Sequence, residues 1–425
     1  MKIIESIMNR RTVIAASTVA LVGCIGPGTE IGSVDKQYRS NYSSQNDGSL
    51  KTGERGRENS GDDGGPTREI ELFDDFSDLT RWSVLNGSVE GDDKRGQLGS
   101  QSAHLAAGPG DDRVTISHTL SEPIDCSSKN PGLSLAAAES VVPTVQLIDR
   151  EGNRVDFRRG IKGGRHTMRY NFGIEDIYGD PDLSTVTEIR ITLWAGDRSY
   201  ECWVDGLYFV PRPDTGKVMI QFDDGYETDY TEALPILDRY DYPAATFVNP
   251  GRIGNDEFLN LGQCERLQDA GWTVANHTHT HAHLESLDPD EQRIEIVDAK
   301  EWLVDHGFER GARYFAYPFG EWDEYTLEVV EEHHELAFWG GRGVHGHPVN
   351  PILCTRESED PAADRAIAAL DAAARWGGHV RFFYHRLTGE QLSEFEATIE
   401  HLHELESTGE VEIVLPGDLE QELVD

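Results

Sequence analysis

The sequence predicts a multidomain protein in which an all-β sandwich is followed by an α/β domain built around a parallel sheet or barrel. Across residues 69–213, short alternating apolar runs are separated by turn residues, with no helical periodicity between them. Across residues 214–425, apolar runs instead alternate with stretches of helical period. The two patterns meet at residues 211–214, Pro-Arg-Pro-Asp, whose prolines favour a rigid connection.

The charge balance argues against nucleic acid as a partner. The 425 residues include 38 Lys+Arg against 77 Asp+Glu, a net charge of -39 at pH 7. Such a negative surface repels nucleic acid, so we expect no nucleic-acid partner, and no obligate protein partner is evident. An acidic coat that stays hydrated where salt screens its self-repulsion is typical of halophilic proteins. An ordinary acidic secreted protein is the alternative.

Residues 1–24 have the features of an export signal. Asn9 and the pair Arg10-Arg11 precede a short apolar segment that ends in Leu-Val-Gly-Cys at Cys24. This pattern resembles a twin-arginine signal with a lipobox, which implies cleavage before Cys24 and lipid attachment to its sulfur. We therefore expect a lipoprotein held at the extracellular face of the cell membrane. An uncleaved anchor helix would leave the protein in the same compartment.

Residues 25–68 are rich in Gly, Ser, Asn, Asp and Glu with almost no apolar periodicity, which predicts a disordered acidic linker. Beyond Cys24 the chain has four more cysteines. Disulfides within each half and buried free thiols both remain open, since an exported chain can oxidise its thiols. None of them has metal-ligand spacing. They are Cys126, Cys202, Cys264 and Cys354.

Within the predicted sandwich, residues 145–148, 186–194 and 202–209 are the clearest strands. The segment 203–209 resembles the final strand of jelly-roll domains related to carbohydrate-binding modules. Three tryptophans could form a platform that stacks on sugar rings, but aromatics at alternating strand positions also pack in cores. They are Trp82, Trp194 and Trp203.

In the α/β half each apolar strand is followed by a helical stretch. The predicted pairs are 218–222 with 230–240, 244–248 with 261–270, 273–276 with 289–306, and 313–317 with 325–334. Repeated strand–helix units imply parallel strands, whose carboxyl ends share one edge of the sheet or barrel. The polar residues that carry chemistry follow these strands directly, so we expect one active site at that edge.

Two short motifs at this edge have the composition of a metal site. Residues 221–225 read Gln-Phe-Asp-Asp-Gly, and residues 277–281 read His-Thr-His-Thr-His. A catalytic divalent cation takes carboxylate and imidazole ligands and keeps a position open for water. We predict Asp224, His277 and His281 as the ligands. Adjacent strand residues point to opposite sides, so Asp223 is left to activate the water.

A different outcome follows if residues 276–281 continue a regular strand. His277, His279 and His281 would then share one side and form a nonspecific metal patch.

These motifs make residues 217–419 resemble the polysaccharide deacetylase family, carbohydrate esterase family four, which is also called the chitooligosaccharide deacetylase homology domain. The resemblance implies a distorted (β/α)7 barrel with one divalent metal ion, zinc first, with cobalt, nickel or manganese as alternatives. It implies Asp223 as the general base and Asp224, His277 and His281 as metal ligands. The third motif lies at 315–320 and implies an oxyanion donor in the backbone N–H of Phe319. The last lies at 382–385 and implies His385 as the general acid.

The chain departs from the family pattern in the third motif, where Ala316 replaces a common arginine. That replacement resembles the branch acting on poly-N-acetylglucosamine. Arg356 and Arg342 are candidates for the missing cation. The family's fourth motif is not recognisable. Substrate contacts are expected from residues around the predicted metal ligands. They are Tyr226, Tyr317, Pro318, Trp322 and Arg356.

The predicted function is metal-dependent removal of N-acetyl groups from a glycan, with a bound water as nucleophile. A metal-dependent hydrolase of another C–N bond or an acetyl ester would use the same residues. A non-catalytic glycan-binding lipoprotein is the third possibility, and acetate release separates it from the other two. The sequence does not specify the glycan, the metal, the oligomeric state or the ligand of the sandwich.

Overall fold

The computed structural model describes residues 70–196 and 198–423, without the side chain of Arg165. The export signal predicted at residues 1–24, with Cys24, and the linker predicted at 25–68 lie outside the described residues. Among the described residues, no helix is both long enough and apolar enough to cross a membrane.

The first half of the described chain is built of antiparallel strands. Its strands are β1 (Glu71–Asp74), β2 (Ser83–Asn86), β3 (Ser88–Asp92), β4 (Ser102–Ala107), β5 (Arg113–Ile124), β6 (Lys129–Ala137), β7 (Pro143–Asp149), β8 (Arg154–Arg158), β9 (Gly164–Asn171), β10 (Gly173–Tyr178), β11 (Val186–Trp194) and β12 (Tyr200–Pro211). Only short 3-10 turns interrupt them within the described range, as the absence of helical periodicity predicted.

These strands form two sheets. One has the order β3-β4-β12-β6-β9, with β1 also paired to β12, and the other has the order β10-β8-β7-β11-β5-β2. Along β11, Ile189, Ile191 and Leu193 are buried. The one residue between Ile189 and Ile191 is partly exposed, as expected of a half-buried strand. The prediction of antiparallel sheets is confirmed, and the resemblance to jelly-roll domains stays a prediction.

The three tryptophans of this half do not share a surface. Trp82 is buried and donates to Asp74 Oδ2 at 3.1 Å. Trp194 is exposed at the end of β11, in the sheet opposite to the one that contains Trp203. The arrangement does not support a single sugar-stacking platform made by all three.

The second half alternates parallel strands with helices. Its strands are β13 (Gly216–Phe222), β14 (Ala245–Val248), β15 (Thr273–Asn276), β16 (Tyr314–Ala316), β17 (Leu336–Gly340), β18 (Cys354–Arg356), β19 (Gly378–Tyr384) and β20 (Val411–Ile413). Its helices are α1 (Leu234–Leu237), α2 (Leu261–Asp269), α3 (Pro289–Asp305), α4 (Glu324–His333), α5 (Ala363–Trp376), α6 (Glu390–Ser407) and α7 (Pro416–Glu420).

Seven of these strands form a nearly closed parallel barrel. Their order is β18-β17-β16-β15-β14-β13-β19, and β20 pairs with the start of β13. The seam between the two end strands is bridged just beyond β18, where Glu357 N donates to Arg381 O at 2.6 Å. A parallel bridge between Glu359 and Phe383 continues it. The predicted parallel barrel is therefore confirmed.

Capping residues explain where the longer helices begin. Asn260, Asp288 and Asp323 each accept a backbone N–H from the first turn of α2, α3 and α4 and form capping boxes. The stretch predicted as a helix at 230–240 is less regular. A π turn, the short α1 and a 3-10 turn follow one another there, because the Leu234 N–H bonds to Asp229 O and Pro235 has no N–H to donate.

The sandwich and the barrel contact each other through buried polar groups. Arg212, in the predicted rigid connection, is buried and donates to Asn130 Oδ1 in the sandwich and Trp376 O in the barrel. The loop after β17 also contacts the sandwich, since Asn171 Nδ2 donates to His347 O at 2.8 Å. The four described cysteines are buried free thiols, which settles the open choice against disulfides.

Candidate metal-dependent active site

The predicted ligands lie together at the carboxyl ends of neighbouring barrel strands. Asp223 and Asp224 follow β13, while His277 and His281 follow β15. The backbone there takes unusual conformations, with φ of 73° at Asp224, 67° at Thr278 and 64° at His281. Non-glycine residues seldom adopt such values, and they concentrate at functional sites. The two breaks at residues 278 and 281 also contradict the alternative in which residues 276–281 form a regular strand.

The three predicted ligands converge on one point. Asp224 Oδ1 lies 3.0 Å from His281 Nε2 and 3.8 Å from His277 Nε2, and the three ligand atoms lie within 4.8 Å of one another. Neighbouring ligand atoms of a tetrahedral zinc ion are about 3.3 Å apart, given bonds of about 2.0 Å. The two separations from Asp224 Oδ1 bracket this value, so the three side chains suit a divalent cation.

The protonation of the two imidazoles also suits metal binding. Burial lowers the pKa of both imidazoles, that of His281 to about 2, so both rings are neutral and offer lone pairs. His277 Nδ1 lies 2.8 Å from Ala316 O, so this nitrogen is the donor and Nε2 is free to bind a cation. Asn249 donates its side-chain amide to His277 O and Thr278 O and so fixes the loop.

Asp223 is not part of this group and is held by Arg356. Arg356 Nη1 donates to Asp223 Oδ1 at 2.8 Å, and both side chains are buried. Burial alone would raise the pKa of the Asp223 carboxyl, but the charge and hydrogen bond of Arg356 outweigh it and bring the pKa to about 2. Arg342, the other candidate cation, lies instead 3.8 Å from Glu175. Arg356 therefore orients the carboxylate rather than facing solvent.

His385 is paired with an acid that sequence reasoning missed. Asp360 accepts the His385 backbone N–H at 2.8 Å and lies 3.2 Å from His385 Nδ1. Burial lowers the pKa of His385, but the hydrogen bond to Asp360 and the charge of Asp223 outweigh it and raise the pKa to about 9. No motif marks Asp360, because it follows β18 by four residues in an irregular loop.

Arg252 is the second residue that sequence reasoning missed. Its Nη1 lies 3.1 Å from Asp224 Oδ1, the oxygen that also faces the imidazoles. The sequence carried one usable signal, since Arg252 follows β14 by four residues and so belongs to the carboxyl edge of the barrel. Tyr226 is half-buried and stacks on Phe258 with ring centroids 5.1 Å apart, beside Asp224.

Phe319 lies against the second metal-ligand motif. Its ring centroid is 4.3 Å from that of His281, and the ring stacks on His283 at 3.9 Å. Its φ of 57° turns the backbone sharply after β16. His283 is exposed and pairs with Glu321 at 3.1 Å, so the structure leaves it outside the ligand group.

Four of the five predicted substrate contacts are buried, Arg356 among them. Tyr317 is 1% exposed and donates its hydroxyl to Ile352 O at 3.0 Å. Pro318 is buried beside it. Trp322 is 4% exposed and packs between Trp339 and Lys162. Their side chains pack in the core in this conformation, and their contact with a sugar stays a prediction.

Comparison with known proteins agrees with this geometry. The sequence pattern of the polysaccharide deacetylase family matches residues 211–335. This chain contains a polysaccharide deacetylase domain. Both metal-ligand motifs and Ala316 fall within the matched range of the deacetylase domain, whereas Arg356, Asp360 and His385 lie beyond it.

Two curated relatives each match little more than a quarter of the chain. The Bacillus subtilis protein YxkH, whose name places it with the polysaccharide deacetylases, is 33% identical over 121 residues, 28% of this chain and 43% of its own length. A Staphylococcus aureus poly-beta-1,6-N-acetyl-D-glucosamine N-deacetylase is 28% identical over 128 residues, 27% of this chain and 44% of its own. The chain thus spans less than half the length of the curated relatives it matches.

Solved structures include the Streptococcus pyogenes deacetylase PplD in complex with acetate, which is 27% identical to this chain. The match covers 33% of this chain and 62% of that one, with a TM-score of 0.31, which is too low to inform the fold.

Proposed function

We propose that the deacetylase domain is a metal-dependent hydrolase that removes N-acetyl groups from an N-acetylated polysaccharide or oligosaccharide. The observation that carries the proposal is that two adjacent carboxylates have different environments, one suited to binding a metal and the other to accepting a proton. Asp224 faces two neutral imidazoles. Asp223 is held ionised by Arg356, and its other carboxylate oxygen lies 4.0 Å from His277 Nε2. A metal-dependent hydrolase needs metal ligands together with a base that does not bind the metal. The Staphylococcus aureus relative supports a glycan as the substrate class.

Each remaining group has a place in the reaction. When bound at Asp224, His277 and His281, a zinc ion, or cobalt, nickel or manganese, makes a water molecule more acidic and polarises the acetyl carbonyl. Asp223 accepts the proton of the attacking water. The backbone N–H of Phe319 stabilises the negative charge that develops on the carbonyl oxygen, as oxyanion donors do. His385 gives its proton to the departing amine, and acetate and a free amino sugar result.

The direct test is acetate release from N-acetylglucosamine oligomers by the purified full chain in high salt. Turnover should require added zinc, cobalt, nickel or manganese and should stop after chelation. A panel that includes acetyl esters and other amides identifies the preferred bond. Binding of the oligomers without acetate release under all metal conditions would contradict the proposal.

We also propose that the mature protein is a lipoprotein at the outer face of the membrane, because residues 9–24 resemble a twin-arginine signal with a lipobox. Cys24→Ser should move the protein from the membrane fraction to the medium in its native host. Unchanged membrane association in that variant would contradict lipid attachment at Cys24.

We expect Arg356→Met to lower kcat/KM roughly tenfold to a hundredfold, because Asp223 loses the partner that orients it. The variant leaves a buried carboxylate unpaired, so the free energy of unfolding should also fall by about 3 kcal/mol. Steady-state kinetics and thermal unfolding measure the two effects. Arg342→Met is the matched control and should change neither much, since Arg342 is half-exposed and far from Asp223. Equal effects in both variants would contradict the role of Arg356.

We expect Asp360→Asn to move the alkaline limb of the pH–kcat/KM profile to lower pH by about one pH unit. A general acid must be protonated, so activity is lost as pH rises through the pKa of His385. Asp360 raises that pKa to about 9, and its removal lowers the pKa and narrows the active range. Glu359→Gln is the control, since Glu359 Oε1 is more distant, at 3.6 Å from His385 Nδ1. An unmoved alkaline limb would exclude His385 as the acid.

A further inference from the structure

A second group of potential metal ligands lies at the opposite end of the barrel. His379 is the second residue of β19, whose other end leads to His385, so this group lies at the amino edge of the barrel. His347 comes from the loop after β17, and Glu422 comes from the segment after α7. No short motif joins these residues, because 32 residues separate the histidines and 43 separate His379 from Glu422.

The three side chains converge as closely as the ligands of the active site. Glu422 Oε2 lies 3.0 Å from His379 Nε2 and 3.4 Å from His347 Nδ1. All three ligand atoms lie within 4.8 Å of one another. These two separations bracket the ligand-to-ligand distance of about 3.3 Å in tetrahedral zinc sites. The geometry is that of two imidazoles and one carboxylate around a single cation.

The polar atoms of this group lack the hydrogen bonds that an ordinary buried cluster would make. His379 is 1% exposed and His347 is 6% exposed. His347 Nδ1, both ring nitrogens of His379 and Glu422 Oε2 are buried without a well-formed hydrogen bond among the described residues. Buried polar atoms are nearly always satisfied, so this concentration in one place indicates a missing partner. A cation bound between the three atoms satisfies them together.

The other carboxylate oxygen of Glu422, Oε1, has a separate partner, which leaves Oε2 directed at the two imidazoles. Glu422 Oε1 lies 3.8 Å from Lys217 Nζ, and Lys217 also pairs with Glu412. Lys217 therefore holds one oxygen of Glu422 while the other faces the two imidazole rings.

We propose that His347, His379 and Glu422 form a second divalent-metal site, of the zinc type, that is structural rather than catalytic. It would link three parts of the chain that are distant in sequence: the start of β19, the segment after α7 and the loop after β17. That loop also contacts the sandwich, since Asn171 accepts from Val349 N and donates to His347 O. The metal would therefore hold the C-terminal segment to the barrel and brace the contact between barrel and sandwich.

Cobalt binding to the full chain tests this proposal independently of deacetylation. In a His277→Ala/His281→Ala background, which removes the first site, we expect about one Co²⁺ per chain, with the strong visible absorption of a tetrahedral site. Adding Glu422→Gln should weaken that binding more than about a hundredfold, because it removes a direct ligand. Adding Glu412→Gln should leave it unchanged. Zinc should raise the unfolding temperature of the background variant and of its Glu412→Gln form, but not of its Glu422→Gln form.

A folding control compares the background variant with and without Glu422→Gln in chelator. Equal unfolding temperatures would show that Glu422→Gln folds normally. Absence of cobalt binding in the background variant, or equal cobalt affinity with and without Glu422→Gln, would overturn the proposal. Either result leaves the proposed deacetylase activity untouched, because acetate release depends on the site at the other end of the barrel.

Discussion

Replacing Asp223 by Asn should reduce acetate release about a thousandfold while the protein keeps its metal. In the proposed mechanism the carboxylate of Asp223 accepts the proton of the attacking water, and a general base contributes about 10²- to 10⁴-fold. Asn has the same shape but cannot accept that proton. It still hydrogen-bonds to Arg356, so the local packing should survive. Steady-state kinetics and metal content of the same preparation measure the two properties together.

The control for this prediction is Asp229→Asn. Asp229 is a buried carboxyl near the site, but its hydrogen bond is with Thr246 Oγ1 at 2.8 Å and burial raises its pKa well above the ordinary range. Burial thus favours its neutral form, which is not a base, so its replacement should cost little activity. Retained turnover in Asp223→Asn would falsify the assignment of the base.

Replacing His277 by Ala should abolish both metal binding at the active site and activity, with a loss of more than about a thousandfold. The proposed site has three protein ligands, and the buried imidazole of His277 would supply one of them. Two ligands hold a divalent ion far more weakly, so the effect appears first in metal affinity and through it in turnover. Metal titration followed by acetate release at saturating zinc separates the two steps.

His279→Ala is the matched control, because it removes the middle imidazole of the same motif. The structure leaves His279 out of the ligand group, and only its backbone is engaged, through a hydrogen bond from its N–H to Glu295 O. We expect this variant to bind metal as the unchanged protein does. Equal metal loss in both variants would show that the motif acts as an unspecific histidine patch.

The active-site ligands could be predicted from the sequence because they lie in short motifs next to strand ends. Asp223 and Asp224 are adjacent, and His277 and His281 share one loop, so local spacing already limits how far apart they can lie. The strand pattern predicted that these two segments meet at one edge of a parallel barrel. The structure confirms the convergence of Asp224, His277 and His281.

The partners of Asp223 and His385 were harder to predict, since Arg356 was one of two candidate cations and no motif marked Asp360. Arg356 is 133 residues from Asp223, and Asp360 is 25 residues from His385. Arg356 ends β18 and Asp360 lies in the irregular loop that follows, both at the seam where the last strands close the barrel. The burial of Tyr317 and Trp322 likewise depends on packing against Ile352 and Lys162, which no local sequence signal reports.

The sequence by itself predicted that antiparallel strands precede a parallel barrel and which residues form the proposed first metal site, because periodicity and short motifs act over a few residues. Only the tertiary structure decided which cation holds Asp223, which acid raises the pKa of His385, and how His347, His379 and Glu422 converge. The physical reason is that burial and charge pairing depend on distances across the barrel, and barrel closure sets those distances.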